Sequence, residues 1–494
     1  MCGIFCAVAG PGQTPIDADT SGLAAAIARR GPTCSGRLAR AGAWGTLAAV
    51  SSVLALRGVV PQPLEAGPAF LQFNGELYTA TTPDAARLET ENDGAVLLEW
   101  IGRLGVLAAL QAVRGEYAFV YFDGATLWYG RDCIGRRSLV ATVDGPLAVA
   151  SVPPAPGAGW AEVPAGAVVA LDLATMAAQT HSWDGPTLAR PYGALSGALG
   201  GDVAALAPEL DRLLAAAVAR RTQLQPATTV AVLFSGGLDC ALVALMAARA
   251  GVRTLDLVNV AFENPRTGGG YATPDRKLGR RTWAELRAVL PDCDLRLLEI
   301  DVPFADAAAA RPRVCELMWP KSSVMDLSIA LAFYFAARAS GVLHTADGAA
   351  TAYTSPAPVL LSGLGADELF AGYTRHGTCQ SRGGYAALEA ELALDFGRLH
   401  ERNLGRDDRV IADSGREARY PFLDEDVVAW ALQCPLDAKF GPGAVPTKAV
   451  LRQVALAAGL SAVAGEPKRA IQFGARSAKM EPGQGKIKGT DALV

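Results

Sequence analysis

The hydrophobic rhythm of this chain changes once, near residue 202, and that change restricts the folds open to it. Before it, the apolar runs are short: Thr46–Leu56, Phe70–Phe73, Tyr117–Phe122, Thr126–Tyr129, Leu147–Ser151 and Ala167–Leu171. Gly, Pro and Asp separate them, and only one helical segment, Gly94–Leu104, interrupts the series. Such spacing predicts a strand-rich first half. After Asp202 the spacing predicts a helix (Leu206–Arg220), a strand (Thr229–Phe234), a helix (Leu238–Ala250) and a strand (Thr254–Phe262). A strand (Leu295–Val302), a helix (Ser323–Ala339) and a strand (Pro358–Ser362) continue the series. Alternation of this kind predicts an α/β domain with a parallel sheet covered on both faces. The expected layout is a first domain over 1–185, a Gly/Pro-rich linker over 186–201 and a second domain over 202–480. The polar, glycine-rich segment 481–494 is expected to be disordered.

Composition excludes several functions. With 494 residues, 51% of them apolar, the chain can fill two cores. Its 19% charged residues and net charge of -4 lack the concentrated Lys/Arg excess that nucleic acid or an anionic membrane requires. The longest apolar stretch, Ile329–Leu343, is too short for a membrane span and carries Arg338. Nine cysteines, an odd number without paired metal spacing, predict reduced thiols in the cytoplasm. MCGIFCAVAG lacks the positive start and long apolar run of a secretory signal, so Cys2 is read as standing at the functional start of a cytoplasmic chain.

Removal of Met1 would leave Cys2 with a free α-amine, able to act as base for its own thiol. Cys2-Gly3-Ile4 is followed by Arg30-Gly31-Pro32, Asn74-Gly75-Glu76-Leu77-Tyr78 and Asn92-Asp93. Then come Gly115-Glu116-Tyr117-Ala118-Phe119 and Arg131-Asp132-Cys133-Ile134-Gly135. In this order they resemble the glutaminase domain of class II glutamine amidotransferases, an α+β N-terminal-nucleophile (αββα) fold. The resemblance implies that Cys2 attacks the side-chain amide of glutamine and that Asn74 and Gly75 form the oxyanion hole. It also implies that Glu76 and Asp93 hold the substrate's ammonium by charge-assisted bonds. The family's carboxylate-binding Arg aligns with Val53. Arg57 is the nearest substitute, about 13 Å further on if the strand continues; an ordinary surface charge is the other reading of it.

In the second half, Val230–Phe234 runs into Ser235-Gly236-Gly237-Leu238-Asp239-Cys240 and a helix. Glycines let phosphate approach the backbone, and a helix start offers free N–H groups. Asp239 could hold Mg²⁺ on the phosphates. The run resembles the PP-loop of ATP pyrophosphatases, with Cys240 in place of the usual Ser and hence a weaker donor. Leu361-Ser362-Gly363-Leu364-Gly365-Ala366-Asp367-Glu368 resembles a second motif of the asparagine synthetases. There Asp367 would be the other Mg²⁺–pyrophosphate ligand and Gly363 would lie at the nucleotide, as would Leu233 and Val260. By the same resemblance Lys468 would stabilise departing pyrophosphate, while Asp326, Leu364 and Asp424 would border the acceptor.

Arg402–Ile411, Tyr373–His376 and Pro467–Gly474 extend the resemblance to asparagine synthetase domain-containing proteins over nearly the whole chain. It implies glutamine-dependent, ATP- and Mg²⁺-requiring amidation of a carboxylate, nominally aspartate, with glutamine, ATP and that carboxylate as small-molecule partners. Leu364 stands where the synthetases carry a Glu. With Val53 and Cys240, it leaves two alternatives: another carboxylate acceptor, or a scaffold that no longer catalyses.

Overall fold

A computed structural model describes residues 2–19, 22–154, 159–222, 229–346, 348–480 and 488–493. The chain forms two compact units. The first comprises Met1–Arg190, Arg313–Ser322 and His400–Glu417; the second comprises Pro191–Pro312, Ser323–Leu399 and Ala418–Val494. The two units are therefore interleaved, where a single boundary at 186–201 was expected.

In the first unit the strands are β1 (Gly3–Ala9), β2 (Cys34–Gly42), β3 (Gly45–Val53), β4 (Leu64–Ala66), β5 (Ala69–Ala80) and β6 (Val113–Phe122). They continue as β7 (Thr126–Arg131), β8 (Val140–Thr142), β9 (Ala148–Ala150), β10 (Trp160–Glu162), β11 (Ala167–Asp172) and β12 (Ala178–Ser182). They form two six-stranded sheets, ordered β10-β8-β9-β1-β3-β2 and β12-β11-β7-β6-β5-β4. Ile4, Cys6 and Val8 meet Phe70, Val120, Phe122 and Leu127 in one buried core cluster between the sheets. Each such side chain contributes roughly 1.5–3 kcal/mol on burial. Every residue of β1 is buried, because the helix Leu23–Arg30 covers its other face. A Cβ on Gly3 would lie 2.5 Å from Ile27, so glycine sets that approach. The helix Asp93–Leu104 packs on β5, giving the expected αββα layer order.

The segment Gly405–Ala412 is a helix in which every residue is buried, four charged ones included. Arg409 donates to Ser138 Oγ (2.8 Å), Glu162 Oε1 (2.7 Å) and the carbonyls of Leu317 (2.8 Å) and Met318 (3.3 Å). Fully hydrogen-bonded burial of this kind is what lets a guanidinium sit in a core.

In the second unit the strands are β13 (Val230–Leu233), β14 (Thr254–Phe262), β15 (Asp294–Val302), β16 (Ser340–His344), β17 (Ala350–Thr354), β18 (Val359–Leu361) and β19 (Glu417–Arg419). The sheet order is β17-β16-β15-β14-β13-β18-β19. The expected parallel pairing holds for β15-β14-β13-β18. It fails at the edge, where β16 and β17 form an antiparallel hairpin. The connection between these two strands is too short for the crossover a parallel pair needs. Helices Leu238–Arg249, Pro274–Val289 and Val324–Arg338 pack on β14. Residues 488–493 are not the disorder expected of 481–494. The N–H groups of Val324 and Met325 donate to the carbonyls of Asp491 (3.0 Å) and Gly489 (2.9 Å), which satisfies the start of a helix. Residues 481–487 and 494 lie outside the described residues. Among the described residues, no helix is long and apolar enough to cross a membrane.

Candidate functional site

In the first unit Cys2 precedes β1. Although the residue keeps partial exposure, packing around the thiol pushes it up to about 11. The chain-terminal amine and the Leu54 backbone pull it down; Glu417 and Asp93 push it up. Gln62, absent from the sequence expectations, reaches the thiol with its Nε2 3.9 Å from Sγ, while its Oε1 accepts from Phe73 N–H at 2.7 Å. The signal for it was thin: a Gln before a Pro in a loop.

Asn74 lies on β5 opposite Ala118 and is fully buried. Neither its Oδ1 nor its Nδ2 has a partner among the described residues. A buried, unsatisfied carboxamide costs about 1–3 kcal/mol, so it demands an explanation. Gly75 follows at φ 152°, and a Cβ there would lie 2.0 Å from the Glu116 carbonyl. Only glycine brings that N–H into place.

Asp93 accepts from Leu77 N–H and Gly94 N–H, each at 2.9 Å. Burial, with the Glu76 carboxylate adding to it and Arg57 opposing, pushes Asp93 up to about 7. Arg57 is not a surface charge. The chain bends after β3 ends at Val53, so Arg57 does not continue along the strand. Its guanidinium pairs with Glu76, donates to the Leu88 carbonyl and reaches the Leu77 carbonyl at 3.3 Å. Val53 ends β3 buried, paired with Cys34. Asp132, within a matched motif, is structural: it accepts from the N–H groups of Tyr117, Ile134, Gly135 and Arg136 at 3.0–3.1 Å.

In the second unit β13 and β18 are adjacent and parallel, so their C-terminal ends deliver Ser235–Cys240 and Ser362–Glu368 side by side. Gly236 has φ 83°, and a Cβ there would lie 2.4 Å from Gly279 N. The helix Leu238–Arg249 starts at Gly237 without a side-chain cap on its first N–H groups. Ser235 Oγ accepts from Gly237 N–H (3.3 Å), and Cys240 turns its thiol back on the Gly237 carbonyl (3.1 Å). Gly363 packs against the helix start, where a Cβ would lie 2.9 Å from Asp239 Cβ. Leu233 is half-buried and Val260 buried on neighbouring strands.

Asp239 and Asp367 converge on one cation, the Nζ of Lys448, at 2.5–2.6 Å. Lys468 Nζ pairs with the other oxygen of Asp367 and lies 5.9 Å from the Tyr373 ring. Burial alone would raise Asp367, but Lys448 and Lys468 overcome it and hold the carboxyl well below the usual range. Glu368 is pushed up to about 7 by burial and by Asp367, and accepts from Tyr373 Oη at 2.6 Å. Sequence analysis missed Lys448, which has φ 59° and only 2% exposure.

The three residues expected at the acceptor lie in separate local settings. Asp424 is buried, bonded to Arg220 (2.5 Å) and Arg221 (2.7 Å), and accepts from Asp426 N–H (3.2 Å) at a helix start. Asp326 accepts from Ser323 Oγ (2.5 Å) in another cap. Leu364 is half-buried, its N–H on Ser362 Oγ at 3.2 Å.

The asparagine synthase family matches residues 209–387 and 378–484, and the glutamine amidotransferase domain family matches residues 57–155. An asparagine synthetase domain-containing protein of Saccharomyces cerevisiae is 36% identical over 86% of this chain and 82% of its own length. Asparagine synthetase domain-containing protein 1 of Bos taurus is 31% identical over 97% of this chain and 96% of its own. The Homo sapiens protein of that name is 30% identical over the same shares. Among solved structures, a glutamine phosphoribosylpyrophosphate amidotransferase from B. subtilis covers 50% of this chain at 18% identity, with a TM-score of only 0.30. The class is thus a glutamine amidotransferase domain joined to an asparagine synthase domain. Within it, the chain belongs to the asparagine synthetase domain-containing proteins.

Proposed function

We propose that the chain hydrolyses glutamine at Cys2 and uses the ammonia for ATP-dependent amidation of a carboxylate, nominally aspartate. What carries this is the convergence of Asp239 and Asp367 on one buried cation beside an uncapped helix start. Mg²⁺ is usually held by one or two carboxylates with substrate phosphates and water completing the shell, and the two aspartates fit that donor set. Asp239 and Asp367 would hold the ion, which would supply charge neutralisation for the phosphates. The first N–H groups of the helix Leu238–Arg249 would hold pyrophosphate, which the glycine at 236 lets close to the backbone. Lys468 would offset charge developing on departing pyrophosphate, as the carboxylate becomes an acyl-adenylate.

At the other centre the Cys2 thiol, raised by burial, needs a base. The α-amine that Met1 removal would expose supplies one from the same residue. Asn74 Nδ2 and Gly75 N–H would hold the oxyanion. Because Arg57 already neutralises Glu76, the substrate's ammonium depends on Asp93. Asp93 must be ionised to serve, so KM for glutamine should rise about tenfold per pH unit below about 7 and level off above it. A KM flat from pH 5.5 to 8.5 would remove Asp93 from that role.

Pyrophosphate release with Mg-ATP, glutamine and aspartate tests the whole reaction, with Cys2→Ala as control. Pyrophosphate and asparagine should appear together, and ammonia should replace glutamine in the variant. Leu364 favours a second reading, a different acceptor, since an aliphatic side chain neither pairs with an amine nor moves a proton. Glutamine hydrolysis without asparagine would favour that reading, and pyrophosphate release over a panel of carboxylic acids would then find the acceptor.

A further inference from the structure

The Arg30 guanidinium is buried and touches the main chain of the nucleophile residue. Its Nε donates to the main-chain carbonyl of Cys2 at 3.2 Å, and its NH2 pairs with Asp408 Oδ2 at 2.8 Å. Asp408 is fully buried, and its other oxygen lies 3.7 Å from Arg137 NH1. Arg137 in turn lies 3.3 Å from both Glu116 and Glu417, and Glu417 acts electrostatically on the Cys2 thiol. All of these side chains are at most 3% exposed. Arg30, Arg137 and Glu116 come from the amidotransferase half of the sequence. Asp408 and Glu417 come from residues matched by the asparagine synthase family. Yet His400–Glu417 is an integral part of the first unit.

We propose that Asp408 is a positioning residue for the Cys2 nucleophile, acting through Arg30, so that a residue encoded in the synthetase half of the chain sets the geometry of the glutaminase centre. Asp408 holds one edge of the planar guanidinium, and a second hydrogen bond from it holds the Cys2 carbonyl, which restrains the backbone that carries the thiol and the α-nitrogen. Asparagine at position 408 keeps the shape but removes the charge that orients Arg30. A displacement of about 1 Å at a nucleophile is worth up to about a hundredfold in rate. As a statement about turnover, the proposal rests on the glutaminase reading above; as a statement about Cys2 geometry, it does not.

The test compares full-length wild type, Asp408→Asn and Arg409→Gln. Arg409→Gln breaks an equally buried set of bonds that does not touch Cys2, so it controls for general loosening. Two readouts are taken on folded protein: glutamine kcat and KM, and the rate of iodoacetamide alkylation at Cys2 by peptide mapping, with buried Cys6 as internal reference. For Asp408→Asn, kcat should fall about tenfold to a hundredfold with KM nearly unchanged. Cys2 should alkylate several-fold faster, because loosened packing frees the thiolate. Arg409→Gln should lose thermal stability but change neither readout. If Asp408→Asn leaves both readouts unchanged while the wild type hydrolyses glutamine, the proposal is overturned and the glutaminase reading survives. If the wild type hydrolyses none but Asp408→Asn still changes Cys2 alkylation, the positioning role stands and the glutaminase reading falls. Equal changes in both variants would also overturn it.

Discussion

Lys448→Met should melt at a markedly lower temperature than the wild type in EDTA and recover most of the difference in millimolar Mg²⁺. Lys448 Nζ is the cation on which Asp239 and Asp367 converge, at 2.5–2.6 Å. Without it, two carboxylates face each other at the meeting point of two adjacent strand ends. Lys468 remains, but its ion pair is with Asp367. Removing one partner of a buried ion pair costs about 3–5 kcal/mol, because the other charge is left uncompensated. A divalent ion with a taste for carboxylate oxygen can replace the lost ammonium. The wild type should respond less to Mg²⁺ alone, since Lys448 already neutralises the two carboxylates and the ion is held there only with substrate phosphates. Thermal denaturation at matched ionic strength, with and without Mg²⁺, reads this out. A variant that melts like the wild type, or that ignores Mg²⁺, would show that the two aspartates do not form a cation site.

Lys448 also shows where sequence stopped being informative. Asp239 and Asp367 were legible because each follows an apolar strand and a glycine turn, a local pattern whose physics is local. Lys448 sits in Thr447-Lys448-Ala449-Val450, before a helix, with nothing to mark it. Its left-handed backbone and its burial exist only once three distant segments have met. Cys2, Asn74 and Gly75 were singled out by another signal, the order of several short motifs along the first half of the chain. The place of Arg57 was misread, because the strand was extended past the bend where β3 ends. The strand–helix alternation identified the sheet but could not show that β16 and β17 turn back on each other.

The interleaving of the units was hidden for a different reason. Nothing local in Arg406-Asp407-Asp408-Arg409 signals burial, since charges are rarely buried. In the fold all four are buried, each answered by an opposite charge or a polar group. Composition alone cannot distinguish a charge that faces water from one that faces another charge.

Asn74→Ala should cut glutamine kcat by about 10²–10³-fold while leaving stability equal to the wild type or slightly higher. These two effects rarely go together, which makes the pair diagnostic. Most buried polar side chains brace the fold, so truncating one loses hydrogen bonds and stability. Asn74 is fully buried, yet neither amide atom has a partner among the described residues. The native state therefore carries a desolvated, unsatisfied carboxamide, a burden of about 1–3 kcal/mol that alanine would relieve, offset in part by the small void left behind. The preorganised donor is useful only when charge develops on a bound oxygen. Gly75→Ala provides the contrast, because a Cβ 2.0 Å from the Glu116 carbonyl must push β5 from β6 and lose activity and stability together. Urea midpoints alongside kcat and KM separate the cases. An Asn74→Ala protein that loses stability in step with activity would make the amide a brace, and the oxyanion role would have to pass to another donor near Cys2, such as Gln62 Nε2 at 3.9 Å from the sulfur.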